Sequence, residues 1–339
     1  MSAARLALAF ALAVVVGAAV ASSVFPPPPR ERTAPLIPRA RDELHRRIRT
    51  ALPEPHAGLV VSLTLGVPLR FSEIRDSFIA TGTVHVMALS GWNVTVIAFA
   101  LERVLRFARI RRGPRLVVTA AGIVAFVGMV GASPSLVRAT FMGLAALIGH
   151  ATGRPNAAAR ALLFSAAIML ALDPWIIRDD IGFLLSFAAT AGILYLTPLL
   201  MPLFRPLPEA FALRENAANT TAASLATLPI VLAVFGTASV VALPANLTLL
   251  PFIPLTIGAG VAAALGAELP VLGAALGAVA HSLAAYDLSA VRLFARLPGA
   301  GISGFTLSAP LAFLMGAGIV ATVIMHRRRA ARIHELDPS

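Results

Sequence analysis

His85, Ser90 and Asn93, with Gly91 among them, fall within nine positions of one apolar stretch, Phe78 to Leu101. A hydroxyl beside an imidazole is the nucleophile and base pairing of acyl transfer, which also needs donors for an oxyanion. The spacing opposes that chemistry, because five residues on a regular helix turn through about 140°, so His85 and Ser90 diverge unless the helix breaks. His150 and His281 are the other imidazoles to weigh as bases. As neutral hydrogen-bonding groups the same residues suit the lining of a watery path, with Gly91 permitting close backbone approach or a break. They also suit a network that ties helices together.

A second constellation, Ser133, Ser135 and Arg138, stands at the entrance of a predicted helix. Hydroxyls, a guanidinium and the positive end of the helix dipole together favour an anion such as phosphate. The alternative is that Ser135 caps the helix and Arg138 reaches to the membrane interface. Asp173-Pro174 and Asp179-Asp180 read as helix-end and capping groups, and Ser186 and Asn246 as polar links between helices. His281, Tyr286 and Asp287 read as a local structural group. The chain has no cysteine, which excludes disulfides, thiolate metal sites and cysteine nucleophiles; no metal cluster or cofactor is expected.

The elements that must position these residues are membrane helices. Hydrophobic residues make up 58% of the chain and charged residues only 13%, about half the usual share, and the mean hydropathy is +0.84. The net charge of +12 is carried by arginine alone, so a high pI is not by itself a sign of nucleic-acid binding. Stretches able to span a bilayer fall near residues 4–24, 78–101, 116–132, 136–151, 159–177, 181–203, 217–235, 240–264, 271–290 and 305–325. The expected fold class is all-α, a polytopic bundle of about ten transmembrane helices with broken or re-entrant segments.

Arginine placement orients that bundle, because positive residues in short loops stay cytoplasmic. Six arginines lie between Arg103 and Arg115, and Arg327, Arg328, Arg329 and Arg332 follow the last span. Ten spans then put both termini inside. Four segments are expected: an N-terminal membrane anchor over 1–24, an extracytoplasmic Pro/Arg-rich segment over 25–77, a transmembrane domain over 78–325 and a basic cytoplasmic tail over 326–339. The outer segment opens on Pro26 to Pro29, a stiff spacer, and includes an Arg-rich helical piece from Arg39 to Leu52 that is either a solvated surface or a contact for anions. Gly58 to Val67 is apolar but too short to span, and is expected to re-enter or pack against the bundle.

Pro244, Pro251 and Pro254 break the span that contains Asn246, and Pro229 sits inside another. Such breaks are tolerated in a bilayer where the freed backbone groups face protein or a watery cavity. Gly273 and Gly277 form a small-xxx-small face suited to close helix packing.

Five ordered elements resemble the ComEC family of competence proteins. Val84-His85-Val86-Met87-Ala88-Leu89-Ser90-Gly91-Trp92-Asn93-Val94 is similar to its His-Leu-x-Ala-x-Ser-Gly-x-His-Val signature, and Ser133-Pro134-Ser135-Leu136-Val137-Arg138-Ala139 to its Ser-Pro-Ser-x-x-Arg-Ala element, followed by Gly153-Arg154. Leu172-Asp173-Pro174 with Ile181-Gly182-Phe183-Leu184-Leu185-Ser186-Phe187, then Ala226-Thr227-Leu228-Pro229 with Phe235-Gly236, and finally Ala245-Asn246 complete the resemblance. Two polar positions depart from the pattern: Asn93 stands where the family has a second His, and Leu184 where it has Gln.

The resemblance implies an inner-membrane channel that imports single-stranded DNA during natural transformation and does no chemistry itself. His85, Ser90, Gly91, Asn93, Ser135, Arg138, Ser186 and Asn246 would line the DNA path. It also implies partners: an outer DNA receptor or pilus, a nuclease that yields one strand, and a cytosolic motor or strand-binding protein. Full-length family members add an oligonucleotide-binding-type domain and a metallo-β-lactamase-like domain. Residues 25–77 are too few for the first and no His-x-His-x-Asp-His cluster follows Met325, so the nuclease is expected to be another polypeptide. A secondary transporter of a small solute and an intramembrane serine hydrolase with Ser90 as nucleophile are the competing classes.

Overall fold

A computed structural model describes residues 36–87, 91–131, 136–142, 158–172, 175–209, 212–304 and, with gaps, 306–325. The labelled helices are α1 (Pro38–Ala51), α2 (His56–Leu65), α3 (Ser72–Ala80), α4 (Gly91–Phe107), α5 (Arg112–Val130), α6 (Ala158–Leu172), α7 (Ile176–Asp179), α8 (Ile181–Leu200), α9 (Leu213–Phe235), α10 (Ala242–Leu249), α11 (Ile253–Gly266) and α12 (Pro270–Ala295). Residues 136–142 are also helical. Two strands of two residues each, β1 (Thr237–Ala238) and β2 (Ile302–Ser303), pair with one another.

Four helices are long and apolar enough to cross a membrane: α5, α8 with its 3-10 extension to Phe204, α9 and α12. The pair α10 and α11, bent by 41° at its break, makes a fifth. The chain is an all-α membrane protein, and the described residues give four or five candidate spans rather than ten. The expected spans over 4–24 and most of 136–151 lie outside the described residues. Two others shorten to the apolar helices Ala161–Ala171 and Pro310–Val323.

The stretch 78–101 is not one helix. It breaks after α3, where Thr81 and Thr83 are buried and bond each other across 2.7 Å. Thr81 also donates to the Ser77 carbonyl, and Gly82 takes a φ of +67°, the left-handed region that favours glycine. Threonine hydroxyls thus add a second donor to the Ser77 and Phe78 carbonyls, which the Thr81 and Thr83 amides also hold.

The chain divides into two compact units, one containing Ala158–Ala238 and the described residues from Ser303, the other the described residues up to 142 with Ser239–Ile302. In the first, α8 and α9 lie so close that a Cβ on Gly192 would meet the Ala222 carbonyl oxygen at 2.6 Å. Asp180 caps α8 by accepting the Phe183 amide at 2.6 Å, and α9 runs unbroken through Pro229 to Gly236 at φ +62°.

In the second unit, α2 is buried on every side: Ala57 and all residues from Leu59 to Leu65 are inaccessible. An all-round apolar helix is stable only when covered all round, and α1, α11 and α12 supply that cover. α1 turns Ile48 inward and sends Arg47 to Glu268 at 2.7 Å. α4 and α5 form a hairpin across the arginine-rich turn, with Arg115 paired to Glu102 at 3.1 Å.

The prolines of the bent pair follow from backbone chemistry. Pro244 and Pro254 occupy first helical turns, where no amide donor is needed, and Pro251 falls in the break. Gly273 and Gly277 serve packing: a Cβ on Gly273 would lie 2.6 Å from the Gly266 carbonyl oxygen, and one on Gly277 3.3 Å from that of Ala51.

Gly273→Ala should therefore lower stability by about 1–3 kcal/mol, because backbone atoms cannot swing aside. Gly258→Ala, with nothing within 4 Å of the added carbon, should be neutral or slightly stabilising in the same thermal-unfolding measurement. His45 in α1 has its pKa held below the usual imidazole value by burial, then by Arg49 and Arg41. A group depressed on folding weakens the native state as the unfolded chain takes up its proton, so stability should fall as pH drops below about 6.5. His45→Gln should flatten that dependence.

Candidate functional site

The second unit holds most of the residues with site potential. His85 lies in a 3-10 turn, Val84–Val86, between α3 and α4. Its ring is exposed, and Nδ1 lies 3.2 Å from the Gly82 carbonyl oxygen. Ser90 and Ser135 lie outside the described residues, and Gly91 opens α4.

Asn93 has the clearest geometry. It is buried, and its Nδ2 donates to the Leu63 carbonyl oxygen at 2.6 Å. Leu63 stands in the last turn of α2, where carbonyls have no intrahelical donor. The helix ends on Gly66 at φ 64°, whose amide returns to Ser62. Asn93 therefore closes the C-terminus of the buried helix and fixes α4 against it.

Arg138 lies on the helical piece 136–142 and is only 6% exposed. A guanidinium cannot shed its charge in a protein, so its burial in an apolar bundle is an energetic commitment of the kind that marks intramembrane functional positions. Asn246, on α10, is 2% exposed; its amide nitrogen bonds back to the Ala242 carbonyl at 2.8 Å, while Oδ1 is buried with no partner among the described residues. Ser186 belongs to the other unit, half-buried on α8, where its carbonyl accepts from Thr190.

A buried acid that was read from sequence as a structural group proves conspicuous. Asp287 is fully buried on α12 and bonds Thr256 of α11 at 2.6 Å. Next to it, Tyr286 donates to the Thr248 carbonyl at 3.2 Å. The signal for Asp287 was present in the sequence as a carboxyl inside an apolar span, the placement that carries a cost in any membrane protein. His56 and His281 also meet, with ring centroids 4.1 Å apart. No group of three or more metal-ligating side chains occurs among the described residues.

The family model for "Competence protein" matches residues 69–329. The chain belongs to the competence protein family. That match takes in α4, α5, the Arg138 helix and the bent pair. The chain is also 28% identical over 204 residues to "ComE operon protein 3" of Bacillus subtilis (strain 168). The aligned stretch is 59% of this chain and 25% of that relative, so this competence protein spans about a quarter of its relative's length. No solved structure matches the chain.

Asn93→Ala would leave the Leu63 carbonyl buried without a donor, and should lower stability by about 1–3 kcal/mol in chemical or thermal unfolding of the purified protein. Asn93→His restores an N–H donor and should recover part of that loss.

Proposed function

We propose that this protein is a multi-pass inner-membrane channel through which single-stranded DNA enters the cell during natural transformation. The family match over residues 69–329 is the observation that carries this reading. Physical features support it. A polyanion crossing hydrocarbon needs positive potential and hydrogen-bond donors along a wet path, and the second unit buries Arg138, Asn93 and Asn246 within a largely apolar bundle.

In this reading Arg138 contacts passing phosphates, while His85, Ser90, Gly91, Asn93, Ser135, Ser186 and Asn246 supply neutral polar surface. The hydrogen bond from Asn93 to Leu63 assigns Asn93 a structural duty beside that one. The protein does no chemistry on the DNA. A separate receptor or pilus delivers the duplex, a nuclease leaves one strand, and a cytosolic motor or strand-binding protein draws it in.

A second reading, secondary transport of a small solute, is favoured by the bent pair α10 and α11 with the buried Thr256–Asp287 contact beside the break, since broken helices and intramembrane acids recur in transporters.

Fluorescent DNA separates the two. In the native host, deletion should abolish cytosolic entry while DNA still accumulates at the surface. Arg138→Ala, present in the membrane at the normal level, should restore uptake at least about tenfold less well than wild type, the equivalent of about 1.4 kcal/mol in one phosphate contact. Normal DNA entry in the deletion strain would favour the solute transporter.

A further inference from the structure

Asp287 lies in the C-terminal third of a 26-residue apolar helix and is fully buried. Its Oδ2 has one neighbour, Thr256 Oγ1 at 2.6 Å, and its Oδ1 is buried with no partner among the described residues. A carboxylate so placed would have a single donor and no counter-charge, which costs more than holding a proton.

The charged and titratable surroundings sharpen the point. Neither α10 nor α11 carries an ionisable side chain. On α12 itself, Arg292 is exposed, Tyr286 is partly exposed with its ring on Phe252 and its hydroxyl on the Thr248 carbonyl, and His281 packs on His56 of α2. From α3, Glu73, Arg75 and Asp76 are all exposed. The approach of α1 to α12 is at Ala51 and Gly277, ten residues and so about 15 Å along the helix from Asp287. No cation pairs with Asp287 among the described residues.

The hydroxyl of Thr256 also reaches the backbone. Oγ1 is 2.6 Å from Asp287 Oδ2 and 3.2 Å from the Phe252 carbonyl oxygen. A threonine hydroxyl has one hydrogen, so with an ionised Asp287 it would have to be shared between the two acceptors. Each contact has a hydrogen of its own when Asp287 donates: Asp287 O–H to Thr256 Oγ1, and Thr256 O–H to the Phe252 carbonyl. Phe252 is the residue that precedes α11, at the break of the bent pair.

We propose that Asp287 is a proton-binding site inside the membrane domain, with Thr256 as the relay that links its protonation to the backbone at the break between α10 and α11. On deprotonation the Asp287 O–H bond breaks and the proton passes to water. Thr256 then turns its hydrogen from Phe252 to Asp287, and the contact at the break is lost. The bound species is a proton; a monovalent cation held by the same oxygens is the outcome to be tested against it. The site stands apart from DNA passage and can fail without touching that reading.

The test is infrared spectroscopy of the purified full chain in lipid nanodiscs, read at the C=O stretch of protonated carboxylic acids. At pH 7 wild type should show a band that Asp287→Asn lacks and that disappears as pH is raised. Thr256→Val keeps the carboxyl but removes its acceptor, so the band should persist at higher frequency; this variant also reads the site if Asp287→Asn does not fold. Identical wild-type and Asp287→Asn spectra at pH 7, or a Thr256→Val band that is unmoved, would overturn the proposal. So would removal of the wild-type band by added sodium at constant pH, which would mark a cation site instead.

Discussion

The closing of α2 is the constraint on which the second unit depends. This helix is apolar on every face and ten residues long, too short to span a bilayer, so it persists only if neighbours cover it and its last carbonyls find donors. α1, α11 and α12 provide the cover, and Asn93 provides a donor to Leu63. The same bond sets where α4 begins its path. Close approach is built in with small residues, as at Gly260, whose added Cβ would collide with Val60 of α2.

Much of this was legible in the sequence because membrane helices advertise themselves by length and hydropathy. The stretches near 116–132, 181–203, 217–235 and 271–290 correspond to α5, α8, α9 and α12, and the proline cluster from Pro244 to Pro254 marks a bent pair. Hydropathy alone could not show that 78–101 is interrupted, since Thr81 and Thr83 count as mildly polar residues and only their placement reveals that they bond each other and the last carbonyls of α3 at the turn. Nor could it distinguish a buried short helix from a re-entrant one at Gly58 to Val67. Pro229 illustrates the opposite limit, since one proline inside α9 leaves the helix running.

The site was partly legible. Ordered motifs placed Arg138, Asn93 and Asn246 among the residues of interest, and all three are buried in one unit. The departure at position 93, Asn in place of the family's His, keeps an N–H donor, and the bond to Leu63 gives a physical reason why a donor is needed there. No motif covers Asp287. Its importance rests on a partner, Thr256, 31 residues away in sequence, and such pairings are invisible until helices are packed.

Arg138 is where structure and family bear most directly on each other, and photo-crosslinking of DNA during uptake interrogates it. A photoreactive residue is placed at position 138, with another at the exposed Phe99, and tethered DNA is arrested partway into competent cells. The expected result is a DNA adduct at position 138 and none at position 99. Adducts at neither position while DNA still enters the cell, or equal labelling of both, would contradict passage of the strand along this protein's buried polar interior.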